Sequence, residues 1–236
     1  MLSPWGRVVA ISALLVAGGA LALVVGAIAS TRPHVGIYPV RGEIASLAFD
    51  LADGDIEIVG GGNRDEVSVR RTASYAFGHA PTLEPTVKDG AYRVRARCPT
   101  SLVGGCSLAY RVVVPDNVEL NIRTTSGAVS LRGYRGTARV TTTAGAVSIS
   151  GYCGNLLEAH TGAGDISVAA NCAPPRMTLR SGSGGIHAVM PPGRYDLDAE
   201  STSGATGVHG VQARDDAPYV VQALSASGEV LVEGRS

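Results

Sequence analysis

Aromatic residues are scarce in this chain: two Phe and one Trp stand among 236 residues, and aromatics make up only 5%. A wide globular core built on large rings is therefore excluded. Charge is sparse as well, at 17% of residues, and 20 basic residues balance 20 acidic ones. A net charge of zero removes the electrostatic case for nucleic acid. No Cys-x-x-Cys pair and no paired histidines occur, so no zinc site is expected. Gly162-Ala163-Gly164-Asp165 lacks the Gly-Gly-x-Gly-x-Asp core of calcium-binding β-rolls. Ser181-Gly182-Ser183-Gly184 is followed by no Lys and opens no helical pattern, so it is a turn and not a phosphate loop. No nucleophile-elbow pattern is present. The expectation is a non-enzyme with no cofactor and no metal.

What the chain has instead is glycine, 31 of them, set in a recurring phrase. Thr125-Ser126-Gly127-Ala128-Val129-Ser130-Leu131 returns as Thr143-Ala144-Gly145-Ala146-Val147-Ser148-Ile149 and as Gly162-Ala163-Gly164-Asp165-Ile166-Ser167-Val168. Further copies surround Gly184, Gly204 and Gly228, and the steps between phrase glycines are 18, 19, 20, 20 and 24. A near-constant period of about 20 marks a stacked repeat. Each coil reads as two strands and two corners. Val129-Ser130-Leu131 precedes the corner Gly133-Tyr134-Arg135-Gly136, and Thr137 to Thr141 then runs to the next phrase glycine. Apolar residues at i and i+2 give each strand one buried face, and stacking buries what a single coil cannot. The broken copy near Thr206 and the long step through Asp215-Asp216-Ala217-Pro218 predict an atypical capping end. The fold class is all-β, a β-solenoid or β-helix-like stack of coils of about 18–20 residues, preceded by one N-terminal transmembrane helix.

That helix is read from residues 8–29, which hold 22 uncharged residues in succession. As a helix the segment is about 33 Å long, enough for a hydrocarbon core of about 30 Å. Trp5 stands at an interfacial position, and Arg7, Arg32 and His34 flank the run. Ala27-Ile28-Ala29 also fits a signal-peptide cleavage site, although the run exceeds the usual h-region. Both readings place the remainder outside the cytoplasm. The chain then divides into an anchor with a short tail (1–29), a linker (30–42), an N-terminal β segment (43–122) and regular coils with a C-terminal cap (123–236). Within the β segment, Asp53-Gly54 is a hairpin-type signal, Ser74 to Val87 reads as a loop, and Tyr92–Ala96 and Leu108–Val114 read as strands.

Four cysteines in such a location suggest disulfides. Cys153 and Cys172 each stand eight residues after a phrase glycine, Gly145 and Gly164. They share one position in successive coils, where strands about 4.8 Å apart satisfy disulfide geometry. Cys98 and Cys106 then form a local clasp. Tyr134 and Tyr152, 18 apart, stack at one corner beside Arg132, Arg135 and Arg139. This basic-aromatic patch is a candidate binding face, set against a corner pair that shields the core. Glu158, His160 and Asp165 are close in sequence, while His34, His79, His187 and His209 occupy unrelated repeat positions.

Phe49-x-Leu51-x-Asp53-Gly54-Asp55-Ile56-x-Ile58, the Val112-x-Val114-Pro115 strand and the serial Thr-x-Ser/Ala-Gly-x-Val/Ile phrases resemble the bacterial "putative adhesin" domain family of unknown function. The resemblance covers Glu43 to Ser236. It implies a surface-exposed β-repeat domain behind an N-terminal membrane segment, and it implies no chemistry. The expected function is a membrane-anchored, extracytoplasmic, non-catalytic adhesion, binding or structural role at the cell envelope. The expected partners are the lipid bilayer, through the helix, and a cell-wall polymer, a glycan or another envelope protein. The alternatives are a carbohydrate-active enzyme on a β-helix scaffold and an envelope-stress or regulatory partner.

Overall fold

In a computed structural model of the chain, residues 12–22, 25–26, 32–76, 79–99, 105–116 and 118–235 are described. The alternating segments all become strands. The first part of the chain forms β1 (Arg32–Arg41), β2 (Ser46–Asp53), β3 (Asp55–Val59), β4 (Glu66–Tyr75), β5 (Thr82–Lys88), β6 (Ala91–Arg97) and β7 (Cys106–Val113). The regular copies follow as pairs: β8 (Glu119–Ser126) with β9 (Val129–Arg132), β10 (Ala138–Ala144) with β11 (Val147–Tyr152), β12 (Leu156–Ala163) with β13 (Ile166–Ala170), and β14 (Arg176–Ser183) with β15 (Ile186–Met190). The C-terminal part holds β16 (Arg194–Ser201), β17 (Thr206–His209), β18 (Gln212–Ala213), β19 (Tyr219–Ser227) and β20 (Val230–Gly234).

Each phrase glycine turns the chain from one sheet into the other, so every coil gives one strand to each of two ten-stranded sheets. Sheet I runs β1-β4-β7-β3-β9-β11-β13-β15-β20-β17, and sheet II runs β18-β16-β19-β14-β12-β10-β8-β2-β6-β5. Coils pair in parallel and in register: Val147 stands between Val129 and Ile166, and Val140 between Ile122 and Ala159. These inward positions form one buried core of small aliphatics, in which Val129, Val147, Val140 and Ala159 are all buried. Narrow layers of this kind need few aromatics, which accounts for the composition.

Stacking does not follow chain order at either end. The coil β2–β3 lies between the later coil β6–β7 and β8–β9. The last coil, β19–β20, lies between β14–β15 and the earlier coil β16–β17. The broken copy near Thr206 is thus the outermost coil, and the chain returns through Asp215–Pro218 to fill the layer beneath it.

Three expectations for the N-terminal part are corrected. Residues 32–41, expected within the linker, form β1, because the edge of β4 offers unpaired backbone groups with which all ten residues pair antiparallel. The loop expected from Ser74 to Val87 contains β5, paired antiparallel with β6. Asp53-Gly54 is not a hairpin: β2 and β3 belong to different sheets, and Gly54 is the first phrase corner. The expected membrane helix over 8–29 lies partly outside the described residues; 12–22 and 25–26 are helical. Among the described residues no helix is long and apolar enough to cross a membrane. Residues 12–22 are all exposed, and every strand and core residue among the described residues lies within 32–235.

Candidate functional site

The first corner of each coil is a column of close backbone contacts. Gly127 has a φ of +123°, and a Cβ there would sit 2.1 Å from the Gly54 carbonyl oxygen. Gly145 repeats this against Gly127, and Gly228 against Gly184. Three residues before these glycines stands a buried hydroxyl. Thr161 donates to Gly145 O at 3.2 Å, Ser181 to Gly164 O at 3.0 Å and Ser225 to Gly184 O at 2.9 Å. Thr142 Oγ1, at the same position, is buried without a partner. Where the residue after the glycine is aspartate it ties two coils together: Asp55 Oδ1 accepts Ala128 N–H at 2.8 Å, and Asp165 Oδ1 accepts Gly185 N–H at 2.7 Å. The first corner is architecture.

The second corner holds Tyr134 and Tyr152, and here the candidate binding patch is corrected. Both rings are fully buried. Tyr134 donates its hydroxyl to Val118 O, and Tyr152 meets Gly136 O at 2.8 Å and Leu156 O at 2.6 Å. The phenols close the end of the core and satisfy corner carbonyls, so no ring is offered to a ligand. Burial pushes both phenol pKa values well up. Arg139 pairs with Glu119 and, at 3.1 Å, with Glu158, while Arg132 reaches Glu57 at 3.6 Å. Arg135 is exposed. Beside this corner, Cys153 and Cys172 are bonded across adjacent coils with Cα atoms 4.7 Å apart, and Cys98–Cys106 clasps the β6–β7 coil.

Glu158, His160 and Asp165 do not converge, since Glu158 is held by Arg139 and Asp165 by the next coil. His34 stacks on Tyr75, His79 contacts Ala76 O and His187 contacts Glu233, so the histidines form no column. Among the described residues no cluster of three or more His, Cys, Asp and Glu side chains could hold a metal.

Of the concavities among the described residues, two at the N-terminal strands bear on binding. A groove of about 570 Å³ crosses the outer face of sheet I over β4, β7, β3 and β9, lined by Asp55, Glu57, Arg70 and Arg111 among others. Arg70 and Arg111 stand directly opposite each other across the β4–β7 pair. Like charges placed this way repel, and Glu57, 3.1 Å from Arg111, is shared with Arg132. The second concavity, about 440 Å³, opens between the two sheets at the β1–β5 end. Val40, Leu83, Val94, Tyr92 and Tyr110 line it, together with Tyr38 and Arg71. The sequence hid both sites. Glu66-Val67-Ser68-Val69-Arg70 shows which residues share a face of β4, but nothing in it says that β7 lies alongside.

The chain is similar to a solved "putative cell adhesion protein" from Clostridium sporogenes, with 14% identity, a TM-score of 0.48 and coverage of 86% of this chain and 100% of that one. It is similar also to a "putative adhesin" from Bacteroides fragilis, with 11% identity, a TM-score of 0.43 and coverage of 86% and 97%. No curated protein matches it. The profile of the Toastrack DUF4097 family matches residues 107–233, which is more than half of the 236-residue chain. The match spans the regular coils and their cap, and the chain belongs to the Toastrack DUF4097 family.

Proposed function

We propose that this protein is a non-catalytic binding module of the cell envelope, tethered by residues 8–29 and presenting the outer face of sheet I to a polymer with anionic groups. The observation that carries the reading is the groove in which Arg70 faces Arg111 while Glu57 is shared between Arg111 and Arg132. Paired guanidinium groups on a rigid sheet suit repeated carboxylate or phosphate groups, which they bind through two parallel hydrogen bonds. Rigidity supports this role, because Arg70 and Arg111 are held on adjacent antiparallel strands inside a ten-stranded sheet before binding. The uncharged run, Trp5 and the flanking arginines support the tether, and two disulfides fit an oxidising compartment. Immobilised protein from residue 30 onward is expected to retain an anionic wall polymer or glycan from envelope fractions. The variant Arg70→Ala/Arg111→Ala is expected to lose at least tenfold in affinity with unchanged thermal stability. Equal retention by the variant would overturn the reading. The tether is tested separately: the full chain should resist alkaline extraction from membranes.

A second reading has its own observation. Asp55 and Glu57 share one strand face in the groove, with backbones about 6.6 Å apart along the strand, and glycosidases work with a pair of carboxylates. They lie side by side instead of flanking a cleft, and each already has donors. Sugar release by the wild type that Glu57→Gln abolishes would establish the hydrolase reading in place of the first.

A further inference from the structure

The strand β4 alternates Val67, Val69, Arg71 and Ala73 toward the space between the sheets, so a guanidinium stands where the pattern calls for an aliphatic residue. Among the described residues, Arg71 is the only charged one lining the pocket of about 440 Å³ at the β1–β5 end. No carboxylate among the described residues lies within ion-pair distance of it. Its Nη2 donates to the Tyr38 hydroxyl at 3.0 Å and its guanidinium lies 5.2 Å from the centre of the Tyr38 ring, while its Nε–H is buried without a partner. Gly36 makes this possible, because the Tyr38 ring occupies the space a side chain at position 36 would need. The neighbouring phenols supply no counter-charge: burial raises Tyr92 and pushes Tyr110 up to about 12, so both are neutral at physiological pH.

Arg71 is partly buried, so water reaches its exposed Nη2, but its buried Nε–H has no partner and no anion balances its charge, and a ligand carboxylate would supply both. The rest of the lining is aliphatic and aromatic, and the volume falls within the range of small-molecule sites. Tyr38 in the lining is 45% exposed, and Val87, which alternates onto the same face of β5 as the lining residues Leu83 and Pro85, is 61% exposed, which leaves the mouth open and apolar. We infer that this pocket binds a single-chain anionic amphiphile of the fatty-acid class, with its alkyl chain against Val40, Leu83 and Val94 and its carboxylate on Arg71. An apolar tail and a carboxylate head are the two chemistries the lining lacks partners for. The inference does not depend on the groove of sheet I or on the tether.

The test is calorimetric titration of dodecanoate, below its micellar concentration, into protein from residue 30 onward, which holds every described strand and core residue. Photo-crosslinking of a photoreactive dodecanoate to the full chain in phosphatidylcholine nanodiscs checks the intact protein. Saturable binding is expected, with dodecanol at least tenfold weaker. Arg71→Met and the exposed rim variant Val87→Glu should each weaken dodecanoate at least tenfold, with circular dichroism unchanged for Val87→Glu. An inward charge can also serve only to keep a sheet edge from pairing. In that case dodecanoate binds no better than dodecanol, or both variants bind as the wild type does, and the inference is overturned. It is overturned equally if the protein binds anionic phospholipid vesicles but not dispersed dodecanoate.

Discussion

At Gly127 an added methyl group would lie 2.1 Å from a backbone oxygen of the coil below, whereas at Gly133, with φ +61°, nothing lies within 4 Å. The two glycines therefore answer substitution differently. Gly127→Ala must both strain a positive φ and push two coils apart, and is expected to cost more than about 3 kcal/mol. Gly133→Ala meets only the left-handed backbone penalty, about 1–2 kcal/mol, and Gly133→Asn less. Urea denaturation of the three variants measures the difference; equal losses at Gly127 and Gly133 would contradict the stacked column. The sequence marks both residues as corners, but only coil-to-coil contact separates them. Nothing in the sequence pattern marks Asp55 and Asp165 as ties between coils, because the N–H groups they accept belong to the neighbouring coil in the stack.

The tyrosines give a second residue-scale expectation, in alkali. Burial raises the Tyr110 pKa to about 12 and raises those of Tyr134 and Tyr152 as well, so the folded state favours the neutral phenol. This stability is fully present below about pH 10, where an unfolded tyrosine is also neutral. It is lost as pH rises through the folded values, at up to about 1.4 kcal/mol per pH unit for each tyrosine. For Tyr110 the window is pH 10 to about 12. Tyr110→Phe should make the fall in stability shallower across that window while leaving the neutral-pH value nearly unchanged. Tyr152→Phe should in addition lose about 1–2 kcal/mol at neutral pH, since it abandons the Gly136 and Leu156 carbonyls. Tyrosinate absorbance and chemical denaturation at stepped pH report both effects.

Among the elements, the last coil has the most exposed test. Since β19 and β20 fill the layer between β14–β15 and β16–β17, removing residues 219–236 takes out an internal layer and strands the outer coil. Removing residues 194–215 takes out only the outermost coil and leaves 191–193 and 216–218 to form the corner that 171–175 forms two strands earlier. The terminal truncation is expected to aggregate or to lower the melting midpoint by more than 10 °C, on the order of a loss of several kcal/mol. The internal deletion should keep a cooperative transition close to that of the intact domain. If the internal deletion proved the more damaging, the coil order would be wrong. Local pattern predicted the coils, their strands and the pairing of Cys153 with Cys172, because these depend on a repeat that neighbours share. It missed the exchange of coils at both ends, the pairing of β1 and the separation of β2 from β3. Those depend on which coil docks beside which, and parallel coils with the same apolar face are interchangeable in pattern.

For the whole molecule, that exchange of coils sets the direction in which the stack projects. β1 is the outermost strand of sheet I and β5 the outermost strand of sheet II at the same end, and β17 and β18 close the other. Only residues 30 and 31 separate the uncharged run from β1, and two residues span at most about 7 Å. With the run in a bilayer, as proposed above, so short a tether holds the β1–β5 end against the lipid. Ten strands at about 4.8 Å spacing then lift the far end about 43 Å away. The mouth of the Arg71 pocket would face the membrane, where amphiphiles partition, and the groove of sheet I would stand on the side of the stack, open to a polymer. Energy transfer to an acceptor lipid decides this, using a dye on a non-natural residue at position 87 or 215 of the full chain in liposomes. Strong transfer from 87 and several-fold weaker transfer from 215 is the upright arrangement. Comparable transfer from both positions means that the stack lies along the surface, and a polymer could then reach only one of its faces.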